Sequence, residues 1–250
     1  MKLLKSYFPS ILIILFLFIS WEIGAYLVNQ TFIFPSPLQI LIRLWELKDV
    51  LFLKHLPATL LIMVIGLLIS IIIGVSLAVW MNVNKSVKKA FYPLLIASQT
   101  IPIIALAPIF VLWFGYSIWS KVVVTVLITF FPITVNTFDG LRSIKKELEE
   151  LLLTMGASKK EIFLKLSVPS ALPFFYSGLK VAVTLSVIGA AIGEWLGAQA
   201  GLGYFSRRMM TQFDGAGVFA PIVLLAVVGI ILFLFVTILE RISFKWRKTE

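Results

Sequence analysis

The sequence predicts an all-α membrane protein: about six transmembrane helices, a two-helix hairpin on the cytoplasmic side and an amphipathic helix on the outer side. Three observations carry this. The composition is 60% hydrophobic and 14% charged, with a mean hydropathy of +1.03, outside the range of soluble globular domains. Six apolar runs each approach the ~20 residues that a helix needs to cross ~30 Å of hydrocarbon. These runs are continuously apolar rather than alternating, which selects helices over barrel strands. With no cysteine, a disulfide framework, thiol catalysis and cysteine metal sites are excluded, and the single histidine, His55, excludes a histidine zinc site and argues against Ser-His catalysis.

The elements follow in order. Ile11–Val28 is too long for the apolar region of a signal peptide and precedes no A-x-A-like cleavage site, so a retained first helix is expected. In 35–56, Leu38, Ile42, Trp45 and Leu56 alternate with Arg43, Glu46, Lys48 and Asp49 at roughly helical spacing, which predicts an amphipathic helix lying at the interface, its simplest role anchoring. The remaining spans are Pro57–Met81, Tyr92–Phe114, Ile118–Thr137, Pro173–Leu196 and Val218–Leu239. The chain thus divides into an N-terminal helix (1–34), an outer segment (35–56), a transmembrane core (57–240) that contains a loop over 139–172, and a basic tail (241–250).

The net charge of +10 would suit nucleic acid, but the cations fall in loops between apolar runs, where membrane orientation accounts for them. With the N-terminus inside, fifteen Lys and Arg lie on the inner side. They are Lys2, Lys5, Lys85, Lys88, Lys89, Arg142, Lys145, Lys146, Lys159, Lys160, Lys165, Arg241, Lys245, Arg247 and Lys248. Six lie outside: Arg43, Lys48, Lys54, Lys121, Arg207 and Arg208. This bias places both termini, and the segment 147–169, in the cytoplasm.

That segment, ELEELLLTMGASKKEIFLKLSVP, is hydrophilic and helix-forming in an otherwise greasy chain. Leu148, Leu151, Leu152 and Met155 make one apolar stripe, with Lys145–Glu149 and Lys146–Glu150 as weak i,i+4 pairs elsewhere on the helix. Gly156 supplies a left-handed stop, and Ser158 to Glu161 reads as a capping box opening a second helix that Pro169 ends. On the residues alone two readings stand level: a connector whose stripe packs on the membrane helices, or an element that docks a partner.

Within the spans, Glu194 is costly in hydrocarbon and reads equally as a pathway or gate residue and as a structural bond. Glu22 reads as structural, and Lys180 is expected to snorkel to the inner interface. Gln99, Thr100, Pro102 and Pro108 break the third span, where freed carbonyls can line a cavity, and Asn136 closes the fourth. Gly189, Gly193 and Gly197 have the small-xxx-small spacing of close helix contact, with a subunit interface as one setting. Gly201 to Tyr204 reads as an outer turn that a partner could touch.

The run Glu150, Gly156, Leu166, Val168 and Pro169 resembles the EAA loop of binding-protein-dependent ABC importer permeases, with Leu151 and Leu152 in place of the paired alanines and Leu166 in place of isoleucine. The resemblance covers nearly the whole chain: FPSP at 34–37, SQTIPIIALAPIFVLWFG at 98–115, FPITVNTFDGLRSI at 131–144 and GEWLGAQAGLGYF at 193–205 are similar to the family's motifs in the same order. The nitrate, sulfonate and taurine branch, which includes thiamine-precursor and riboflavin permeases, is the most similar. The resemblance implies a permease homodimer in membrane lipid, a cytoplasmic ATP-binding-cassette ATPase and an extracytoplasmic substrate-binding protein, with no nucleic acid partner. It implies ATPase coupling through Glu150, Leu151, Leu152, Gly156, Ala157, Ser158 and Pro169, while Glu194, Gln99, Thr100 and Asn136 stand as pathway candidates from the polar residues within the spans. No G-x-x-x-x-G-K-[ST] occurs, so no cofactor and no enzymatic activity are expected of this chain, ATP being bound by the partner. GEWLGAQAGLGYF leans towards the thiamine-precursor branch, with sulfonate close behind. An ion-coupled secondary transporter is the alternative, but no internal repeat is seen and the hairpin occurs once. A membrane-embedded enzyme would need a catalytic partner for Glu194 that the spans do not offer.

Overall fold

A computed structural model describes the chain from Lys2 to Phe244, with side chains described from Phe8 onward. The cationic side chains of Lys2, Lys5, Lys245, Arg247 and Lys248 therefore lie outside the described residues. The described chain is helical and holds five helices long and apolar enough to cross a membrane, or six if one bent pair makes a single crossing.

The first helix, α1 (Lys2–Val28), exposes apolar side chains along most of its length. It is tied down at its end, where Trp21 Nε1 donates to Pro35 O (3.1 Å) and Glu22 Oε2 accepts from Leu38 N–H (3.3 Å). Glu22 is thus a structural residue at the start of α2 (Pro37–Glu46), which also opens with a capping box between Ser36 and Gln39. Leu38, Ile42 and Trp45 are exposed on α2, as an interfacial helix requires. The amphipathic segment is shorter than 35–56, because α3 (Lys48–Val50) already belongs to the next long helix. It passes through one wide i to i+5 turn (Leu51–His55) into α4 (Leu56–Val83).

A second wide turn, Phe163–Ser167, joins α9 (Lys159–Ile162) to α10 (Val168–Gly197). Each wide turn ends two residues before a proline, Pro57 or Pro169. Proline lacks the N–H for the helix ladder and its ring collides with the carbonyl four residues back; a wide turn moves that carbonyl aside. Pro169 therefore does not end the hairpin's second helix, contrary to the sequence expectation, and Lys159–Gly197 runs on as one helix. Its 39 residues span ~58 Å, far beyond ~30 Å of hydrocarbon, so its first turns stand outside the membrane.

The third predicted span is broken where Gln99, Thr100 and Pro102 were expected to break it: α5 (Lys85–Ser98) and α6 (Ile103–Phe114) meet at 101°, whereas Pro108 lies within α6. Pro102 forces Ile101 out of the helical region and cannot donate, so the ladder stops at Gln99 and restarts after Pro102.

At the centre lies α7 (Ile118–Leu141), most of whose residues are buried. Glycines on both neighbours bring backbones against it. A Cβ at Gly66 of α4 would lie 2.7 Å from Thr125 and one at Gly74 would lie 3.0 Å from Thr134, so α4 runs parallel to α7. On α10, a Cβ at Gly178 would lie 2.5 Å from Pro132 O, at Gly189 2.8 Å from Thr125 Cα, and at Gly193 2.9 Å from Lys121 Cα, an antiparallel fit. The glycine stripe of α10 thus packs within the chain, on α7 and, through Gly197, on Val111 of α6, not across a subunit boundary. The hydroxyls of Thr125, Thr129 and Thr134 bond back to their own helix, and Ser70 Oγ lies 2.6 Å from Thr129 Oγ1.

The remaining helices are the exposed α8 (Lys146–Thr154), the short α11 (Leu202–Thr211), which the sequence reading did not foresee, and α12 (Gly215–Ser243). Lys180 Nζ is 2.8 Å from Glu240 Oε2, three residues before the end of α12, joining α10 to α12 in a pair that is about four-fifths buried on each side. Lys121, counted above as a loop cation, is buried in the first turn of α7, where Nζ donates to Tyr116 O and Ser117 O.

Candidate functional site

The coupling residues come together in the hairpin formed by α8 and α9. Glu147 and Glu149 lie in the first turn of α8, where the helix dipole favours acids. Its end is a Schellman motif: Ala157 N–H donates to Leu152 O and Gly156 N–H to Leu153 O, both at 3.0 Å, with Gly156 at φ +87°. Two residues on, Ser158 Oγ accepts from Glu161 N–H while Ser158 N–H donates to Glu161 Oε2 at 3.0 Å, the predicted capping box. Ser158 N–H, Ser158 Oγ (donating to Glu161 Oε2 at 2.8 Å) and Lys165 at 3.3 Å together hold the Glu161 carboxyl down to about 2. Of the two i,i+4 pairs expected in α8, Lys146–Glu150 is present at 3.2 Å, but both partners are exposed and it contributes little.

No residue of α8 is buried. Leu148, Leu151, Leu153 and Met155 are exposed, Met155 by 74%, while Leu152 and Ala157 are half-buried towards the second helix. The reading of this segment as a connector with its stripe packed on the membrane helices is therefore wrong. The hairpin is internally rigid, capped at its turn, and presents uncovered apolar side chains at one end of the bundle. Glu150 and Ser158 are exposed beside that surface, and Pro169 is half-buried in the first turn of α10.

The four polar candidates for a pathway are not brought together. Gln99 and Thr100 are exposed at the elbow between α5 and α6, bonded to Ser98 Oγ and Ala97 O. Asn136 bonds back to Pro132 O and lies beside Gly178. Glu194 stands sixteen residues further along α10 than Gly178, a rise of ~24 Å. It is fully buried (0% exposed), its Oε2 accepting from Gly203 N–H at 2.7 Å and its Oε1 without a hydrogen-bond partner among the described residues.

Around Glu194 the segment expected to be an outer turn is instead a buried lock. Gly201 N–H donates to His55 Nδ1 (3.1 Å), Leu202 N–H to Thr59 Oγ1 (2.8 Å) and Gly203 N–H to Glu194. The first backbone donors of α11 are thus satisfied by side chains of the helix over 48–83 and of α10. Since Nδ1 accepts, the His55 proton is assigned to Nε2. His55 and Thr59 were not foreseen in this role; the only signal was a histidine and a threonine near the start of a span. Nearby, Arg43 donates to Asp214 Oδ2 through Nε and Nη2 (2.9 and 2.7 Å), while Asp214 Oδ1 caps α12 at Gly217, which fixes α2 to α12.

Fold and hairpin together define a helical protein with several helices long and apolar enough to span a membrane, one exposed helical hairpin and no metal-binding cluster among the described residues. A family profile described as binding-protein-dependent transport system inner membrane component matches residues 66–243, and the chain belongs to that family, the permease subunits of ABC importers. It is 60% identical over 239 residues to the formylaminopyrimidine transport permease protein ThiX of Halalkalibacterium halodurans, covering 96% of each chain. It is 34% identical to the riboflavin transport system permease protein RibX of Chloroflexus aurantiacus over 95% of this chain and 89% of that one. It is 30% identical to the putative aliphatic sulfonates transport permease protein SsuC of Bacillus subtilis, over 92% and 84%. These findings favour an importer permease over a secondary transporter.

Proposed function

We propose that this permease carries a formylaminopyrimidine-type thiamine precursor inwards, and that ATP hydrolysis on a separate ATPase drives it through the hairpin. The exposed apolar turn of α8 is the observation that supports the coupling: a capped, rigid knob whose leucines and methionine are covered only when a partner's cleft receives them. Glu150, Leu151, Leu152, Gly156, Ala157 and Ser158 form that knob, and Pro169 passes its movement directly into α10, because the helix is unbroken from Lys159 to Gly197. The cation bias supports an orientation with both termini and the hairpin in the cytoplasm. This chain supplies no nucleotide site of its own. A second copy completes the pathway, and the open apolar cavity of about 510 Å³ beside Ile188, Trp195 and Ile222 supports burial of this face in the assembly.

The 60% identity over nearly all of both chains supports the pyrimidine cargo over sulfonate or riboflavin. In this reading the extracytoplasmic binding protein selects the substrate and the permease passes it on. Uptake into inside-out-free membrane vesicles that contain the permease, its ATPase and its binding protein tests this. Formylaminopyrimidine should accumulate only with ATP inside. Accumulation of an aliphatic sulfonate or riboflavin in its place would overturn the cargo, and uptake driven by a proton gradient without the ATPase would overturn the coupling.

A further inference from the structure

At the hairpin end of the bundle, the end of α4, the start of α5 and the end of α7 enclose a cavity of about 500 Å³. Its wall carries four cations, Lys85, Lys88, Lys89 and Arg142, and no carboxylate. Among the described residues none of the four forms an ion pair. Two of these charges converge. Lys88 Nζ and the Arg142 guanidinium each lie 5.5 Å from the ring of Phe138, so the two heads stand no more than 11 Å apart. Lys88 also lies 6.0 Å from the ring of Tyr92. Four like charges gathered at one cavity repel each other, and an anion from outside the chain relieves that repulsion.

Apart from Asn82, the rest of the cavity is lined by Met81, Pro93 and the rings of Tyr92 and Phe138. It lies where the spans end: α7 has 24 residues, ~36 Å against ~30 Å of hydrocarbon, and Arg142 follows its last residue. Trp80, Val83 and Leu94 are exposed on the flanking helices, an apolar surface beside the cations, with Trp80 in the last turn of α4, where an interfacial aromatic is expected. A soluble anion would use the charges and leave this surface bare. We infer that the cavity binds the phosphate headgroup of an anionic phospholipid of the adjoining leaflet, Lys88 and Arg142 holding the phosphate while the acyl chains lie on α4 and α5. Bound there, the lipid would join the α4–α5 corner to the end of α7, just before the hairpin begins.

The test uses the purified full-length permease, delipidated in a neutral detergent, with bound lipid counted by native mass spectrometry. Phosphatidylglycerol should bind at least tenfold more tightly than phosphatidylcholine of the same acyl chains. Lys88→Gln with Arg142→Gln should abolish this preference, whereas Lys159→Gln with Lys160→Gln, which removes the same charge from the hairpin, should keep it. An equal affinity for the two lipids, or an undiminished preference in the first variant, would overturn the site. Displacement of the lipid by millimolar inorganic phosphate would show a free-anion site and overturn the lipid assignment. A variant-free arm guards against misfolding: a photoreactive phosphatidylglycerol should label wild-type peptides containing 81–93 and 138–142, and labelling confined to other segments would refute the placement. Lipid retention is read without ATPase, binding protein or substrate, so its outcome is separate from that of the transport reading.

Discussion

Replacing Gly156 by valine should uncouple the permease without weakening its membrane bundle. Gly156 has φ +87°, and a Cβ there would meet no atom within 4 Å, so the whole effect is conformational. A non-glycine residue in the left-handed region costs about 1–2 kcal/mol, and a branched Cβ sits at the upper end of that range. Escaping the strain means breaking the two bonds of the turn, from Gly156 and Ala157 to Leu153 and Leu152. Each is worth about 0.5–1.5 kcal/mol, so loss of the turn is competitive with bearing the strain. About 1–2 kcal/mol corresponds to a roughly 5- to 30-fold fall in the ratio of native to broken turns. Co-purification of the ATPase and ATP-driven uptake should fall by up to this factor, while the melting temperature of the permease moves by less than about 2 °C, since α8 buries nothing. Gly156→Asn, which tolerates the left-handed region, should retain most coupling. Normal uptake by the valine variant, or an asparagine variant as impaired as valine, would refute the argument.

Other substitutions separate the remaining roles. Leu151→Ser with Met155→Ser removes exposed apolar surface only, so ATPase retention should fall on co-purification while thermal stability holds. Gly201→Ala introduces a Cβ that overlaps the Glu194 carboxyl at φ +119°. Strain and the lost Gly203 bond together cost about 3–5 kcal/mol, readable as a fall of roughly 10 °C in melting temperature. Glu194→Gln keeps an acceptor for Gly203 N–H and should melt near wild type, whereas Glu194→Leu strands that donor at about 1–3 kcal/mol. Abolished uptake by a fully stable Glu194→Gln would instead assign the charge to the transport pathway. Lys180→Met leaves Glu240 unpaired and should cost about 3–5 kcal/mol, most of it recovered when Glu240→Leu is added; a double-mutant melting cycle reads the difference.

The hairpin was legible because its determinants are local. A left-handed glycine, a serine three residues before a glutamate and leucines at helical spacing act within one or two turns, so sequence neighbours suffice to define them. The Glu194 lock was not legible, because His55 and Thr59 meet Gly201 and Leu202 across more than 140 residues of chain. Local rules also misjudged both proline boundaries. Pro169 reads as a helix stop, yet a wide turn upstream absorbs it, with Ile162 buried just before that turn and Ser167 buried at its end.

By itself the sequence determined the membrane class, the segments that span and the soluble hairpin, because the cost of hydrocarbon burial is imposed residue by residue on a solvent common to all membrane proteins. Only the tertiary structure decided what each polar or small residue within the spans is for. The glycines of α10 could have met a second subunit but meet α7; Lys180 pairs with Glu240 of α12, and Glu194 accepts from Gly203 of α11. The physical reason is shared. In a uniformly apolar chain the partner of a buried charge or a missing side chain is set by which helix faces it, and that choice is made by packing across the whole bundle.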